Sequence, residues 1–502
     1  MEVFDVVVVG AGNGGLIAGA TVAKAGYKTL VLEKHNLPGG CATSFVRGRF
    51  EFEAALHELC EDSTGDEADS ARKILNRLDV TIPFFYEKQL FRAIVKGEGG
   101  YDVRLRPGYE DFLDDMEAAV PGCRESVKKL FDLLPVLDEA QVYMDKPIFN
   151  PAKLMTDYGD FVITASHSME DVMNQCGIPA KAQSILSTYW GYLGVPMDDM
   201  NALHYMSMVG SFIKTPPSMP YHRSHEISLA LVKSIQDYGG EVRFNSEVTK
   251  FLYSDKGAVI GVEVGGNAIY AKKVISNIIA NNVWNRSEQS AVPKSAVKLA
   301  NARKLGMTFV TVYLGLDASA QELGIEDYSV FISSSADSRR QFNERLDYGM
   351  YVVNCLNVAI PEASEPCTSM LFFTMPMMPG DFPENLKPEE YKRYKNDFAE
   401  KYISDYEKTM GVSIREHIEE IVVATPATFA RYLDTPDGCI YGYANEQWDN
   451  IVARTVLKDM ENKVPNLYFC GGHTIRGGGY PSAYITGAMT GEAVVKALKG
   501  GK

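Results

Sequence analysis

The first 33 residues leave very few folds open to this chain. Val3 to Val9 reads Val-Phe-Asp-Val-Val-Val-Val. A near-continuous β-branched run marks a strand buried on both faces, as in a parallel sheet. Gly10-Ala11-Gly12-Asn13-Gly14-Gly15 follows, then Leu16 to Ala25, small and apolar at helical spacing, and Gly26 ends that helix. A second strand, Lys28 to Leu32, runs into Glu33, 18 residues after Gly15. This is a β-α-β unit with G-x-G-x-x-G at its first turn. Gly10 allows the tight turn, Gly12 lets backbone approach a pyrophosphate, and Gly15 permits close helix–strand packing. The helix N-terminus offers free N–H groups to phosphate. Glu33 can accept from both ribose hydroxyls, and its charge repels a 2′-phosphate. Asn13, Leu16 and Lys34 are assigned to the same dinucleotide site. A purely structural glycine turn would need neither the acid nor this strand–helix context.

Composition narrows the class. The 502 residues suggest two or three domains at roughly 100–200 residues each. Hydrophobic residues at 46% and charged residues at 23% are the balance of an ordinary globular protein. Lysine and arginine number 50 against 65 aspartates and glutamates, a net charge of −15. Such a surface repels phosphate backbones, so no nucleic-acid partner is expected, and a broad polybasic membrane patch is disfavoured. The eight cysteines form no C-x-x-C pair, which removes the usual structural zinc pattern and points to reduced thiols. The histidines are dispersed, so no metal site is expected. The chain starts without a signal-peptide pattern and has no spanning apolar run, so a cytoplasmic protein is expected, with peripheral membrane contact left open.

Two later segments specify the cofactor. Pro38-Gly39-Gly40-Cys41-Ala42-Thr43-Ser44-Phe45 comes directly after the second strand, and Gly48-Arg49-Phe50-Glu51-Phe52-Glu53 runs into Ala54-Ala55-Leu56-His57. Near the far end, Asn466 to Gly472 reads as a strand ending in glycines, followed by His473-Thr474-Ile475-Arg476-Gly477-Gly478-Gly479-Tyr480-Pro481 and a helix from Ser482 to Leu498. Together these resemble the amine-oxidase and phytoene-desaturase superfamily of flavoproteins, and Cys41 with His57 looks most like its retinol saturase branch. The C-terminal run is similar to the flavin motif of carotenoid isomerases.

The resemblance implies non-covalent FAD, held by Gly39, Gly40, Cys41, Ala42 and Leu56 on one side and by Gly471, Gly472, Pro481, Gly487 and Ala488 on the other. Gly472 departs from the acid usual in the family. Residues 225–277 look like a third segment, a helix and a strand meander, in which Val248 would lie against adenine through its backbone. There the usual Gly-Gly is replaced by His222-Arg223-Ser224-His225.

The implied fold is α/β: a discontinuous Rossmann-like FAD domain, 1–75, 225–300 and 440–502, interleaved with a substrate domain of mixed sheet and helices. The substrate domain covers 76–224, read as helical, and 301–439, which has strand-like runs at Met307–Leu314 and Met350–Val353. Residues 144–219 carry nine of the twenty methionines, with aromatics between them. Methionine adapts to irregular apolar space. The stretch is either ordinary core, a greasy substrate tunnel or a membrane-docking surface, with Phe149 to Met173 the part that would dip into lipid.

The function implied is FAD-dependent oxidoreduction at C=C bonds of a hydrophobic isoprenoid or polyene substrate, with saturation like that of retinol saturase. Redox-neutral cis–trans isomerisation and phytoene-like desaturation are the alternatives, and a flavin-containing lipid carrier without turnover is the alternative from another class. The electron donor is unassigned. Saturation needs a proton as well as a hydride, and His57, Tyr441 and Tyr480 are the candidate donors. Each has a packing role as its competing explanation.

Overall fold

The computed structural model describes residues 2–60, 71–144, 150–461 and 463–500. Strand β1 (Glu2–Val9), helix α1 (Asn13–Lys24) and strand β2 (Thr29–Leu32) form the opening unit. β1 pairs in parallel with β2 on one side and with the strand Asn267–Ser276 on the other. Glu241–Arg243 extends the parallel sheet beyond β2, and Leu467–Phe469 pairs with the end of Asn267–Ser276. Val248–Tyr253 and Val259–Val264 add an antiparallel meander to the first half of that long strand. Every parallel strand therefore ends at the same edge. There the loops Gly10–Gly15, Glu33, Asn277 and Gly471 meet, the edge at which open α/β sheets hold ligands. Helix Ser224–Asp237 and the C-terminal helix Tyr480–Leu498 pack against α1.

A second sheet carries the rest. Its order is Ile418–Ala424, Thr308–Leu316, Ser369–Met377, Met350–Cys355, Ser329–Ser333, Phe91–Val95, Tyr101–Leu105. All its neighbours are antiparallel except Ser329–Ser333 with Phe91–Val95. Alternation sorts its two faces. Val310, Val312, Leu314, Phe373 and Met375 pack with Phe398, Tyr402 and Tyr406 of the long helix Pro388–Met410. Phe309, Thr311, Phe331, Val352 and Thr374 face a cavity instead.

Residues 76–224 are mostly helical but not wholly so. Phe91–Val95 and Tyr101–Leu105 form a hairpin at the sheet edge. Lys96-Gly97-Glu98-Gly99-Gly100 supplies the turn, with Gly97 and Gly99 at φ +88° and +73°, a backbone that suits glycine and breaks a helix.

The methionines of 144–219 are chiefly core. Met144, Met169, Met173, Met197, Met200, Met206 and Met219 are buried among other apolar side chains, and Met155 is exposed. Of the nine, all within the described residues, Met208 alone borders the cavity. Phe149 lies outside the described residues. Among those described, no helix is long and apolar enough to cross a membrane.

Candidate active site

The glycine loop of the opening unit is built as its sequence requires. α1 starts at Asn13 with no side-chain cap on its first turn, so its N–H groups stay open to an anion. Gly10 sits at φ +93° and a Cβ on Gly15 would lie 2.0 Å from the Gly10 carbonyl oxygen. Glu33 closes the loop: Oε2 accepts from the Ala11 N–H at 2.7 Å and Oε1 from the His35 N–H at 2.9 Å. Burial pushes this carboxyl up, and those two donors pull it back. Val248 starts its strand close by, where the Ser246 N–H donates to the Glu33 carbonyl at 2.8 Å. Lys34 pairs with Asp434 at 3.5 Å. Leu16 is fully buried beneath the loop.

Gly39 stands at φ +112°, where a Cβ would lie 2.0 Å from the Ala42 carbonyl oxygen; its N–H donates to Ala11 at 2.7 Å. The loop Gly39–Ala42 is thereby tied onto the first glycine turn, with Gly40 beside Gly12. The Ala42 carbonyl accepts from the Ser228 hydroxyl at 2.7 Å.

A residue the sequence reading passed over joins these parts. Asn277 follows the strand Asn267–Ser276, and its amide lies between the two glycine loops. A Cβ would lie 2.7 Å from its side chain at Gly12, 2.8 Å at Gly14 and 2.5 Å at Gly471. Only glycines fit around it. Gly472 packs on Gly478. Gly487 and Ala488 pack against α1. A Cβ on Gly487 would lie 2.5 Å from the Gly14 carbonyl oxygen, and Ala488 is buried in the same crossing of the C-terminal helix with α1. They bring two helices together and do not border the cavity. The buried Asn13 Oδ1 has no protein partner. An uncapped helix end, this unpartnered amide oxygen and a cradle that side chains would fill together fit a dinucleotide.

The cavity, about 930 Å³, opens directly from that edge. Cys41, Leu56, Tyr441, Gly478, Tyr480 and Pro481 form the near wall, the second sheet forms another, and Tyr192, Leu203, Met208 and Phe212 come from the helices. The lining is mainly apolar and aromatic.

The three candidate donors all border this cavity, but they are not equally able to give a proton. His57 Nε2 lies 3.1 Å from the Thr374 hydroxyl, its ring packs on Tyr192 and Phe372, and Nδ1 is buried without a partner. Burial pulls its pKa down to about 4. Burial therefore favours the neutral ring at pH 7, which weighs against the donor role expected of it. The Tyr480 hydroxyl donates to the Cys41 carbonyl at 2.9 Å, so its proton is engaged in holding the loop. Tyr441 lies flat on Gly478, where a Cβ would meet its ring at 2.4 Å, and burial raises its phenol. Cys439 is buried with Ile279 and Tyr443, away from the cavity wall.

The acid that the sequence reading missed is Glu58. It borders the cavity beside His57, is 8% exposed, and Oε2 accepts from the Tyr189 hydroxyl at 2.8 Å. Burial pushes its carboxyl up to about 8. A single carboxylate next to a family motif has no spacing signal of its own, because Tyr189 is 131 residues away.

Comparison with known proteins agrees with this architecture. A family model described as an NAD(P)-binding Rossmann-like domain matches residues 8–78. The human all-trans-retinol 13,14-reductase is 25% identical over 519 residues, covering 94% of this chain and 82% of the relative. The chloroplastic prolycopene isomerase of Daucus carota is 21% identical over 453 residues, covering 87% and 71%. Among solved structures, cyclohexylamine oxidase from Brevibacterium oxydans superposes with a TM-score of 0.63 at 13% identity, covering 99% of each chain. The fold is thus amine-oxidase-like, and over most of its length the chain is similar to retinol saturases and prolycopene isomerases.

Proposed function

We propose that this protein is an FAD-dependent oxidoreductase that saturates a C=C bond of a hydrophobic, elongated polyene or isoprenoid. One observation carries the reading: an apolar cavity large enough for such a molecule shares a wall, Cys41 and Gly478 to Pro481, with the dinucleotide loops. The retinol saturase relatives support saturation over isomerisation, since they match more of the chain at higher identity.

When bound, the flavin supplies a hydride equivalent to one alkene carbon. The chain's own residues do the rest. The α1 N-terminus and the Gly10–Gly15 turn bind the diphosphate, and Glu33 takes the ribose hydroxyls. Gly39–Ala42 and the Gly471–Pro481 loop hold the remainder of the cofactor in place. Phe309, Phe331, Val352 and Phe212 exclude water and align the chain of the substrate. Exposed Met155 (62%) and Ile163 (51%) lie on the helices Pro151–Asp157 and Gly159–Ser166, flanking cavity-lining Tyr158. We read them as the contact through which a lipid surface delivers that substrate.

The test is anaerobic incubation of the photoreduced holoprotein with all-trans-retinol and with carotenoid-like polyenes in heavy water, followed by mass spectrometry. A product carrying an added hydrogen pair, with deuterium at the protonated carbon, is expected. An isomer of unchanged mass would replace saturation by redox-neutral isomerisation. An unchanged ligand with an unchanged reduced-flavin spectrum would make the protein a carrier.

A further inference from the structure

Saturation requires a proton donor inside a cavity that excludes water; of the candidates expected from sequence, burial favours the neutral ring of His57, the Tyr480 hydroxyl is engaged with Cys41, and Tyr441 keeps a phenol proton that burial makes hard to release. The polar corner of the cavity lies elsewhere, around Glu58. Tyr189 and Tyr192 approach it from the turn Thr188–Tyr192, with their rings stacked at 5.0 Å. Ser329 and Tyr328 approach from the second sheet, and Glu87 from the segment before Phe91. Glu87 is 5% exposed. Glu58 Oε1, Glu87 Oε1, the Tyr192 hydroxyl and the Ser329 hydroxyl are all buried; none has a partner at full hydrogen-bond geometry among the described residues, but Ser329 and Tyr192 stand close enough to Glu58 to favour its ionised form. Among the described residues, no ion pair joins a lysine or arginine to either carboxyl. Two neighbouring carboxylates in so dry a place disfavour each other's ionisation.

We infer that Glu58 is the acid that protonates the substrate, with Glu87 as the second carboxyl of a buried pair. This rests on the saturation reading above. Glu58 is the member of the pair on the cavity wall, and Tyr192, which also lines the cavity, stands beside it. In the step, the Glu58 O–H bond breaks and a C–H bond forms at one alkene carbon from the π electron pair. The other carbon takes a hydride, two electrons and one hydrogen, from a reduced two-electron carrier, which is thereby oxidised. Glu58 is left as a carboxylate that accepts from Tyr189 and neighbouring hydroxyls, and it regains its proton from water. Its neighbours do not titrate in its range. His57 is neutral down to about pH 4, and burial raises the phenols of Tyr189, Tyr192 and Tyr328. Glu87 is itself raised, by burial and by Glu58.

The first test needs no turnover. Infrared titration of the wild-type holoprotein should show a carboxylic-acid carbonyl band at pH 7 that disappears as pH rises through about 8. The component titrating near pH 8 should be missing in Glu58→Gln, where any band left belongs to Glu87, and it should shift when all-trans-retinol is added. In single-turnover reduction, Glu58→Gln should slow product formation roughly 100-fold or more, the range of a general acid, and Glu58→Asp should recover part of the rate. A carbonyl band that titrates only in the ordinary carboxylate range, or a spectrum and titration identical in wild type and Glu58→Gln, overturns the inference. So does a variant that reduces substrate at the wild-type rate. A wild-type protein that reduces no polyene sinks the saturation reading instead, and the infrared titration and retinol shift still decide the state of Glu58.

Discussion

Glu33 shows what one residue does when the sequence places it at a strand end. Its two oxygens hold the Ala11 and His35 N–H groups at 2.7 and 2.9 Å, so it orders the loop, and the ribose contact is the second role proposed for it. Replacing it with alanine removes a charged acceptor, and such hydrogen bonds contribute roughly 1.5–3 kcal/mol. Glu33→Ala should therefore bind FAD about 10- to 100-fold more weakly by equilibrium dialysis, and unchanged affinity would remove Glu33 from the ribose contact. Glu33 was readable because its neighbours in sequence are its neighbours in space. Asn277 and Glu58 were not. Asn277 touches Gly12 and Gly14, more than 250 residues before it, and Gly471, nearly 200 after it, and no local pattern marks an asparagine as their plug. Glu58 is a carboxylate flanked by His57 and Leu59, and what makes it an acid at neutral pH is burial by segments near 87, 190 and 329. Conversely, His57 was selected for its residue type, and the same burial weighs against the proton that made it attractive.

At the scale of elements, the crossing of α1 with the C-terminal helix fixes where the anion-binding N–H groups point. Gly487 meets the Gly14 carbonyl, and Gly491 meets Thr21, where a Cβ would lie 2.8 Å from the threonine Cβ. At Gly487 the obstacle is backbone, which cannot rotate aside as a side chain can. Gly487→Val should force the helices apart and cost about 1–3 kcal/mol, the usual range for overpacking, read as a lower denaturation midpoint. Because the displaced helix is α1, FAD retention should fall with it. A variant with wild-type stability and wild-type retention would show that the crossing does not position the loop. The parallel strands and the meander were legible because their apolar runs differ in period from the helices around them. The edge hairpin Phe91–Leu105 was hidden inside a helical stretch, and its one local signal was the glycine cluster at 97–100. The methionine enrichment left its alternatives open: most of those methionines fill the core, while Tyr158, Tyr192, Met208 and Phe212 of the same stretch line the cavity. Composition records that a segment is apolar, and only packing decides whether methionine fills a core or lines a cavity.

For the whole molecule, the buried titratable groups combine into a pH dependence that is separable by window. Glu58 has a pKa raised from 4.5 to about 8, and Glu87 is raised well above its ordinary value. In a group of this kind the native state holds a proton that the unfolded chain has released. Its stabilisation is present at low pH and is lost as pH rises through the native pKa. Each such group changes stability by up to roughly 1.4 kcal/mol per pH unit between its two pKa values. His57, His204 and His473 act in the opposite sense. Burial lowers each from 6.5 to about 4, so their stabilisation is present above 6.5 and is lost as pH falls below it. The buried thiols Cys41, Cys355 and Cys439 are pushed up to about 12 from 9.0 and do not titrate below pH 8 in either state. Between pH 6.5 and 8 the carboxyls outweigh the histidines, whose opposition grows toward pH 6.5. Holoprotein stability in denaturant should rise by about 1–2 kcal/mol as pH is lowered from 8 to 6.5, and the rise should slow as the histidines come to oppose it. Ionic strength must be held constant, because a net charge of −15 makes surface repulsion salt-dependent. Glu58→Gln should flatten this slope, since a glutamine binds no proton in either state. A wild-type profile that is level across the window, or that climbs toward pH 8, would mean the Glu58–Glu87 pair is ionised in the native fold.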